Sequence, residues 1–377
     1  MNTALTIRKL YASNYLSGMV FWYPIAKVFM VEIGISPTAI GVSVALFLSL
    51  VLLLDIPSGY LADRYKRIYV LLAAMSCLGL ASFILGISTG IYTYLPGIML
   101  YACYIALSSG TFQALMYDTL ADAGREAQYS KLQGRAFGLF LAGVSTGSIA
   151  GGLLGEHLGL RWTFFLSLIP VVLNLLIIAT ISDPRHHKHV ADKKFKQHLT
   201  AAWSLVRSNS KLSQLVLLLV VTGMLADVQH EFGGLYYLGL GFPIAAMGFL
   251  NAIKWLTAAA GQVVSAGFVP DRATHVLLPL FITAYGLFSF WESRIGVIFF
   301  ILAAGLFALL SNKAETEVQG LVSPNLRATM FSMTNAGSGL LMLPLSLVIG
   351  WVIQTYSIFQ VYQLVALIGF AYTLYAL

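Results

Sequence analysis

Twelve times along this chain, about twenty residues pass with scarcely a charge among them. Hydrocarbon offers a backbone amide no partner, so any segment inside it must satisfy its own N–H and C=O groups, and about twenty residues of α-helix cross a bilayer core of roughly 30 Å. Six such runs come first: Tyr11 to Val31, Pro37 to Tyr60, Ile68 to Ile87, Tyr94 to Leu115, Ala136 to Gly155 and Trp162 to Ile181. Six more follow: Leu212 to Leu238, Pro243 to Val269, His275 to Trp291, Ile295 to Ala314, Ala328 to Val352 and Phe359 to Leu377. Between the two sets lies a polar segment with seven bases, Arg185, Lys188, Lys193, Lys194, Lys196, Arg207 and Lys211. The pattern predicts an all-α membrane protein of twelve transmembrane helices in two six-helix bundles, 1–181 and 212–377, joined by a cytoplasmic basic linker, 182–211.

Charge then sets the topology. Only 10% of the 377 residues are charged, against roughly 25% in an average soluble domain. In a soluble protein the net charge of +7 would suggest a nucleic-acid partner, but a polytopic membrane protein gathers its bases in cytoplasmic loops. With the N-terminus inside, seventeen Lys and Arg fall on the cytoplasmic side, and two, Arg161 and Arg294, fall outside. Both termini are therefore expected in the cytoplasm, with the chain in the cell's inner (plasma) membrane, among lipid and without nucleic acid. Arg8 and Lys9 precede the first run with no small-residue cleavage site, so that run reads as a first helix and not a removed signal. Cys77 and Cys103 sit inside apolar runs and build no disulfide framework. The stretch Arg185-His-His-Lys-His189 reads as a solvated part of the linker, and no metal or other cofactor is expected. With no G-x4-G-K-[ST], H-E-x-x-H or G-x-S-x-G, neither ATP drive nor enzymatic hydrolysis is supported.

Between the second and third runs stands Asp55-Ile-Pro-Ser-Gly59-Tyr-Leu-Ala-Asp63-Arg64-Tyr-Lys66-Arg67. Its charges predict a short turn, in which Gly59 lets a neighbouring helix approach, Asp63 faces a helix N-terminus or an arginine, and Arg64, Lys66 and Arg67 rest on the anionic cytoplasmic surface. These residues resemble the signature of the major facilitator superfamily, roughly G-x-L-A-D-R-x-G-R-[KR]. Gly59, Leu61, Ala62, Asp63, Arg64 and Arg67 match in place, and Lys66 replaces the second glycine. The resemblance implies two pseudo-symmetric bundles, a small-molecule substrate held between them near mid-membrane, access that alternates by rocking, and a protein that works as a monomer.

An internal repeat agrees with two related halves. Gly34-Ile-Ser-Pro-Thr-Ala-Ile-Gly41 enters the second helix, and Gly241-Phe-Pro-Ile-Ala-Ala-Met-Gly248 enters the eighth with the same glycine spacing. Asp271-Arg272 is a worn counterpart of Asp63-Arg64. In the fifth run, Gly143, Gly147, Gly151 and Gly152 place small residues where two helices can pack backbone to backbone. With Gly134 they also resemble G-x8-G-x3-G-P-x2-G-G, the antiporter signature of drug and proton exchangers, with Ser148 where the proline belongs. Glycine packing alone would explain the same spacing. The arginine that such exchangers usually carry in helix four is absent near Ala106.

Charges at bilayer depth need reasons, because each costs a few kcal/mol unless it is paired or faces water. Asp227, His230 and Glu231 share a face of the seventh helix, and Lys254 shares one of the eighth with Asn251 and Trp255. We read these as a cavity lining in which Asp227 or Glu231 carries a proton and Lys254 is the charge partner; a permanent buried ion pair is the competing reading. Tyr15 and Trp22, on a stripe with Tyr11, would add an aromatic wall. Lys27 would meet Glu231 as an outer gate, or else snorkel to the headgroups. Asp118, Lys313, Glu315 and Glu317 lie near cytoplasmic helix ends, where Arg67, Arg135 and Arg327 could hold them as an inner gate or as ordinary loop pairs. The function these residues suggest is proton-coupled efflux of a small amphiphilic compound. Uptake or exchange of an organic anion is the alternative within transport, and a transport-inactive receptor or scaffold the alternative outside it.

Overall fold

The apolar runs become helices because nothing else closes the backbone's hydrogen bonds in hydrocarbon. A computed structural model describes residues 3–182, 195–267, 273–323 and 326–376, and these hold α-helices and short 3-10 turns with no strand. The chain divides into two compact units, residues 1–191 with 243–252 and residues 192–242 with 253–377.

The first unit contains α1 (Thr3–Gly18), α2 (Ala26–Glu32), α3 (Pro37–Arg64), α4 (Arg67–Ile87), α5 (Ile91–Ser108), α6 (Thr111–Ala121), α7 (Tyr129–Leu158), α8 (Leu160–Leu166) and α9 (Leu168–Ala179). The second contains α10 (Phe195–Ser208), α11 (Ser210–Gly239), α13 (Thr274–Phe290), α14 (Gly296–Leu321), α15 (Arg327–Thr355) and α16 (Ile358–Ala376). The helix between α11 and α13, α12 (Ile244–Gly267), gives its first turns to the first unit and the remainder to the second. Large apolar side chains stand exposed on the long helices, Leu53 at 70% and Val263 at 72%. Lipid accepts such a surface and water does not.

Ten helical segments among the described residues are long and apolar enough to cross a membrane. Two of the twelve expected runs fall outside that set. Thr274–Phe290 is apolar but only 17 residues long, and the first run is broken. Its α1 ends at Gly18, a 3-10 turn covers Tyr23–Ile25, and α2 follows. Pro24 lacks the amide hydrogen that a continuous helix would donate to the carbonyl of Val20, and its ring crowds that carbonyl. The stripe drawn through Tyr11, Tyr15 and Trp22 therefore does not exist as a helix face.

The charged stretch expected to be a turn is mostly helix. The third helix runs on through Asp55 and Pro57 to Arg64, and only Tyr65 and Lys66 reverse the chain before α4 begins. A helix carries its own hydrogen bonds, so it need not stop where the hydrocarbon does. A Cβ added at Gly59 would meet nothing within 4 Å, so no helix uses this glycine for close approach among the described residues. The side chain of Asp63 lies outside the described ones. The fourth run breaks at Gly110, whose φ of +72° separates α5 from α6. In the expected linker, residues 183–194, and with them the His-rich stretch, lie outside the described residues, as do Asp271 and Arg272. The linker's latter half is α10, which buries Ala202 and Val206 and exposes Leu199 and Trp203, with the Arg207 guanidinium 5.0 Å from the Trp203 ring.

The repeat is visible in the backbone. Gly34 and Gly241 take φ +77° and +70°. The amides after and at each glycine close the same turn: Ile35 to Met30 O and Gly34 to Val31 O in one copy, Phe242 to Tyr237 O and Gly241 to Leu238 O in the other. This is a helix end finished by a left-handed glycine.

Each unit has an aromatic core. In the first, Trp22 is 1% exposed, stacks on Phe164 at 5.3 Å and donates from Nε1 to Ser82 Oγ at 3.0 Å. In the second, Tyr236 stacks on Phe300 at 5.0 Å, packs edge-on to Tyr362 and Phe288, and donates to the Phe288 carbonyl at 3.0 Å.

Candidate functional site

Near the middle of the thirty-residue α11, Asp227, His230 and Glu231 lie one turn apart and are half-buried. Lys254, from the middle of α12, is buried at 5% exposure, and Glu231 lies close enough to act on its charge. Glu231 acts likewise on Asp227, which also engages the Ser338 hydroxyl of α15. Trp255 completes the group: its ring meets His230 edge-on at 5.1 Å and stands 5.5 Å from Lys254 Nζ. The indole Nε1 of Trp255 is buried and has no hydrogen-bond partner. All of these residues belong to the second unit. Helical spacing placed the acids on one face, but Ser338 was not foreseen. The small-residue run Ala336-Gly337-Ser338-Gly339 was its only signal; Ser338 Cβ comes within 3.2 Å of a Cβ built at Gly223 on α11.

Asn251 does not join this group. Its amide donates to Ser148 Oγ on α7 at 2.9 Å, within the first unit. Ser148, at the position where the antiporter signature has a proline, meets α12 through its hydroxyl. The glycines of α7 serve the same packing on two faces. A Cβ at Gly143 or Gly151 would collide with the Tyr15 or Phe21 carbonyl, and one at Gly147 would lie 3.0 Å from Met19 Cα. On the other face, a Cβ at Gly152 would lie 2.8 Å from Gly248 Cα. Gly134 meets nothing within 4 Å. Tyr15 is held through its hydroxyl by Thr146 Oγ1 at 3.2 Å, and Trp22 is buried in the core described above. Lys27 is half-buried in α2.

Toward the opposite ends of the helices, Arg67 Nη1 reaches Asp118 Oδ2 at 2.6 Å, which joins α4 to α6. Arg64 is exposed and donates to Tyr60 Oη at 3.0 Å. Glu317 pairs with Lys211 at 3.3 Å and not with Arg327, whose Nε donates to the Gln319 carbonyl at 3.2 Å. Arg135 is exposed and Glu315 half-buried, and neither has an ion pair among the described residues. A cavity of about 470 Å³ opens beside Lys211 and Glu317, lined also by His275 and Tyr372.

Comparison with known proteins bears on this arrangement. The "probable sphingolipid transporter spinster homolog 1" of Arabidopsis thaliana is 25% identical over 118 residues, 31% of this chain and 24% of that protein. The match therefore spans about a quarter of the relative's length. Among solved structures, the nucleoside transporter NupG superposes with a TM-score of 0.80 at 15% identity, covering 100% of this chain and 98% of the other. A D-xylose-proton symporter gives 0.75 at 12%, covering 99% and 96%. An inward-facing, occupied bacterial homologue of the human lysosomal transporter Spinster gives 0.74 at 15%, covering 99% and 95%. At these identities the structural likeness speaks for the fold alone. The sequence pattern of the Major Facilitator Superfamily, however, matches residues 10–343, and the chain belongs to that superfamily of multi-pass membrane transporters.

Proposed function

We propose that this chain is a proton-coupled secondary transporter that exports a small amphiphilic compound across the cell's inner membrane by alternating access. Twelve membrane crossings, both termini in the cytoplasm and a monomeric working unit complete the reading. One observation carries it. Two carboxylates, Asp227 and Glu231, lie close enough to act on each other, and one ammonium, Lys254, lies close to Glu231, midway along membrane helices. With all three ionised the carboxylates outnumber the ammonium, and negative charge at that depth is expensive to hold. A proton restores neutrality. So does a cationic group on a substrate, and two occupants that relieve the same charge exclude one another, which is the logic of exchange.

The amphiphilic cargo draws support from the relative whose name records a sphingolipid transporter. It also fits the ring pair of His230 and Trp255 beside the charges. Organic-anion binding by Lys254 is the weaker reading, because Glu231 already faces that ammonium.

Purified protein in liposomes, under an imposed pH gradient, should move amphiphilic probes. Asp227→Asn with Glu231→Gln should abolish the pH-driven component. A gradient-driven flux that survives both amides would refute the coupling site, and absence of flux for cationic, neutral and anionic probes alike would favour a scaffold.

A further inference from the structure

A cavity of about 260 Å³ lies wholly within the first unit, walled by α1, α4, α5, α6, α7 and α9. No lining side chain is charged. Ser13, Ser17, Gln113 and Gln133 present hydroxyls and amides, and Phe137 and Phe140 present rings 6.2 Å apart and inclined by only 21°. Two of the polar groups are unsatisfied. Ser13 is 0% exposed and its Oγ has no hydrogen-bond partner among the described residues, although Ser145 and Ser148, also buried in helices, bond the carbonyl four residues back. Gln133 Oε1 is likewise buried and unpartnered. Ser17 Oγ accepts from Asn174 Nδ2 at 2.9 Å and also engages the Tyr104 hydroxyl.

Buried polar atoms in native proteins are almost always paired, so two orphans on one cavity wall mark a place where something else supplies the bonds. We infer that this cavity seats an uncharged polar portion of the transported compound, distinct from the cationic group that relieves Asp227 and Glu231: a hydroxyl- or amide-bearing group the size of one sugar ring or aromatic heterocycle. It donates hydrogen bonds to Gln133 Oε1 and Ser13 Oγ and lies against the Phe137 and Phe140 rings. A charged head would find no counter-charge on these walls. The assignment rests on the transport reading above for its cargo, but its site is separate from the Asp227 cluster.

The test uses three ligands with the same tail, octyl glucoside, octyltrimethylammonium and octanoate, titrated calorimetrically against the full chain in a sugar-free detergent. The glucoside should bind at least about tenfold tighter than either ion, and Ser13→Ala and Gln133→Leu should each weaken it about tenfold, the loss of one buried hydrogen bond. Should Gln133→Leu not fold, the isosteric Gln133→Glu carries the test by shifting preference toward the ammonium ligand. Equal binding of all three ligands, or glucoside binding indifferent to both positions, would leave a cavity filled by water and overturn the assignment. Glucoside binding lost in Ser13→Ala without any pH-driven flux would keep the site and discard transport. Flux of the ammonium ligand alone, unaffected at both positions, would do the reverse.

Discussion

Arg67 Nη1 and Asp118 Oδ2 meet at 2.6 Å with their side chains only 14% and 9% exposed, tying the first residue of α4 to the last turns of α6. Both charges are largely out of water, and each lowers the cost of burying the other. Removal of one partner from a buried pair costs about 3–5 kcal/mol, whereas an apolar pair of similar volume is often neutral. Asp118→Asn should therefore lower the melting temperature in detergent by several degrees, and Arg67→Met with Asp118→Leu should recover most of it. A thermal series read by size-exclusion fluorescence decides this, and an Asp118→Asn curve that superimposes on the parent's would deny the pair any structural weight.

The glycines of α7 separate two readings of one sequence pattern. Gly151→Ala drives a methyl group into the Phe21 carbonyl, a backbone atom that cannot step aside, and should cost about 1–3 kcal/mol as overpacking. Gly134→Ala meets open space and should be neutral or stabilise by about 0.5–1 kcal/mol, the gain of alanine over glycine in a helix. Equal melting temperatures for the two variants would contradict the packing described here.

In the charge cluster, Lys254→Met leaves two carboxylates without their ammonium and should depress both stability and flux. Adding Glu231→Gln returns the cluster to its original net charge and should restore stability without restoring pH-driven flux. Folding is followed by monodispersity and transport by uptake into liposomes. Full recovery of pH-driven transport in the double variant would rule out Glu231 as a necessary proton carrier.

Gly34 and Gly241 offer a test of the repeat. A Cβ at Gly34 meets nothing within 4 Å, so Gly34→Ala reports backbone strain alone, about 1–2 kcal/mol for an L-residue held in the left-handed region. Gly241→Ala carries the same strain plus a contact at 3.4 Å with the Arg294 guanidinium, and should be at least as costly. Two neutral substitutions would show that neither turn requires its left-handed conformation.

Much of this is legible in the sequence. The apolar runs, the 207-residue glycine repeat and the match at Gly59 to Arg67 are properties of short windows, and short windows suffice when hydrocarbon leaves the backbone only one way to bond itself. The expected turn at Asp55 to Arg67 was wrong because charge marks the edge of a membrane, not the end of a helix. The stripe through Trp22 fails because α1 ends at Gly18 and Trp22 precedes a 3-10 turn that carries Pro24, so it does not share a helix with Tyr11 and Tyr15.

Sequence by itself determined that the chain is a multi-pass helical membrane protein, that its termini of α2 and α11 turn on equivalent glycines, and that charges stand at depth on α11 and α12. Only the tertiary structure decided which groups meet: Arg67 with Asp118, Lys211 with Glu317, Asn251 with Ser148, Asp227 with Ser338. Hydropathy is read one residue at a time. Partnership depends on the depth and rotation of each helix, and those follow from many packed side chains acting together.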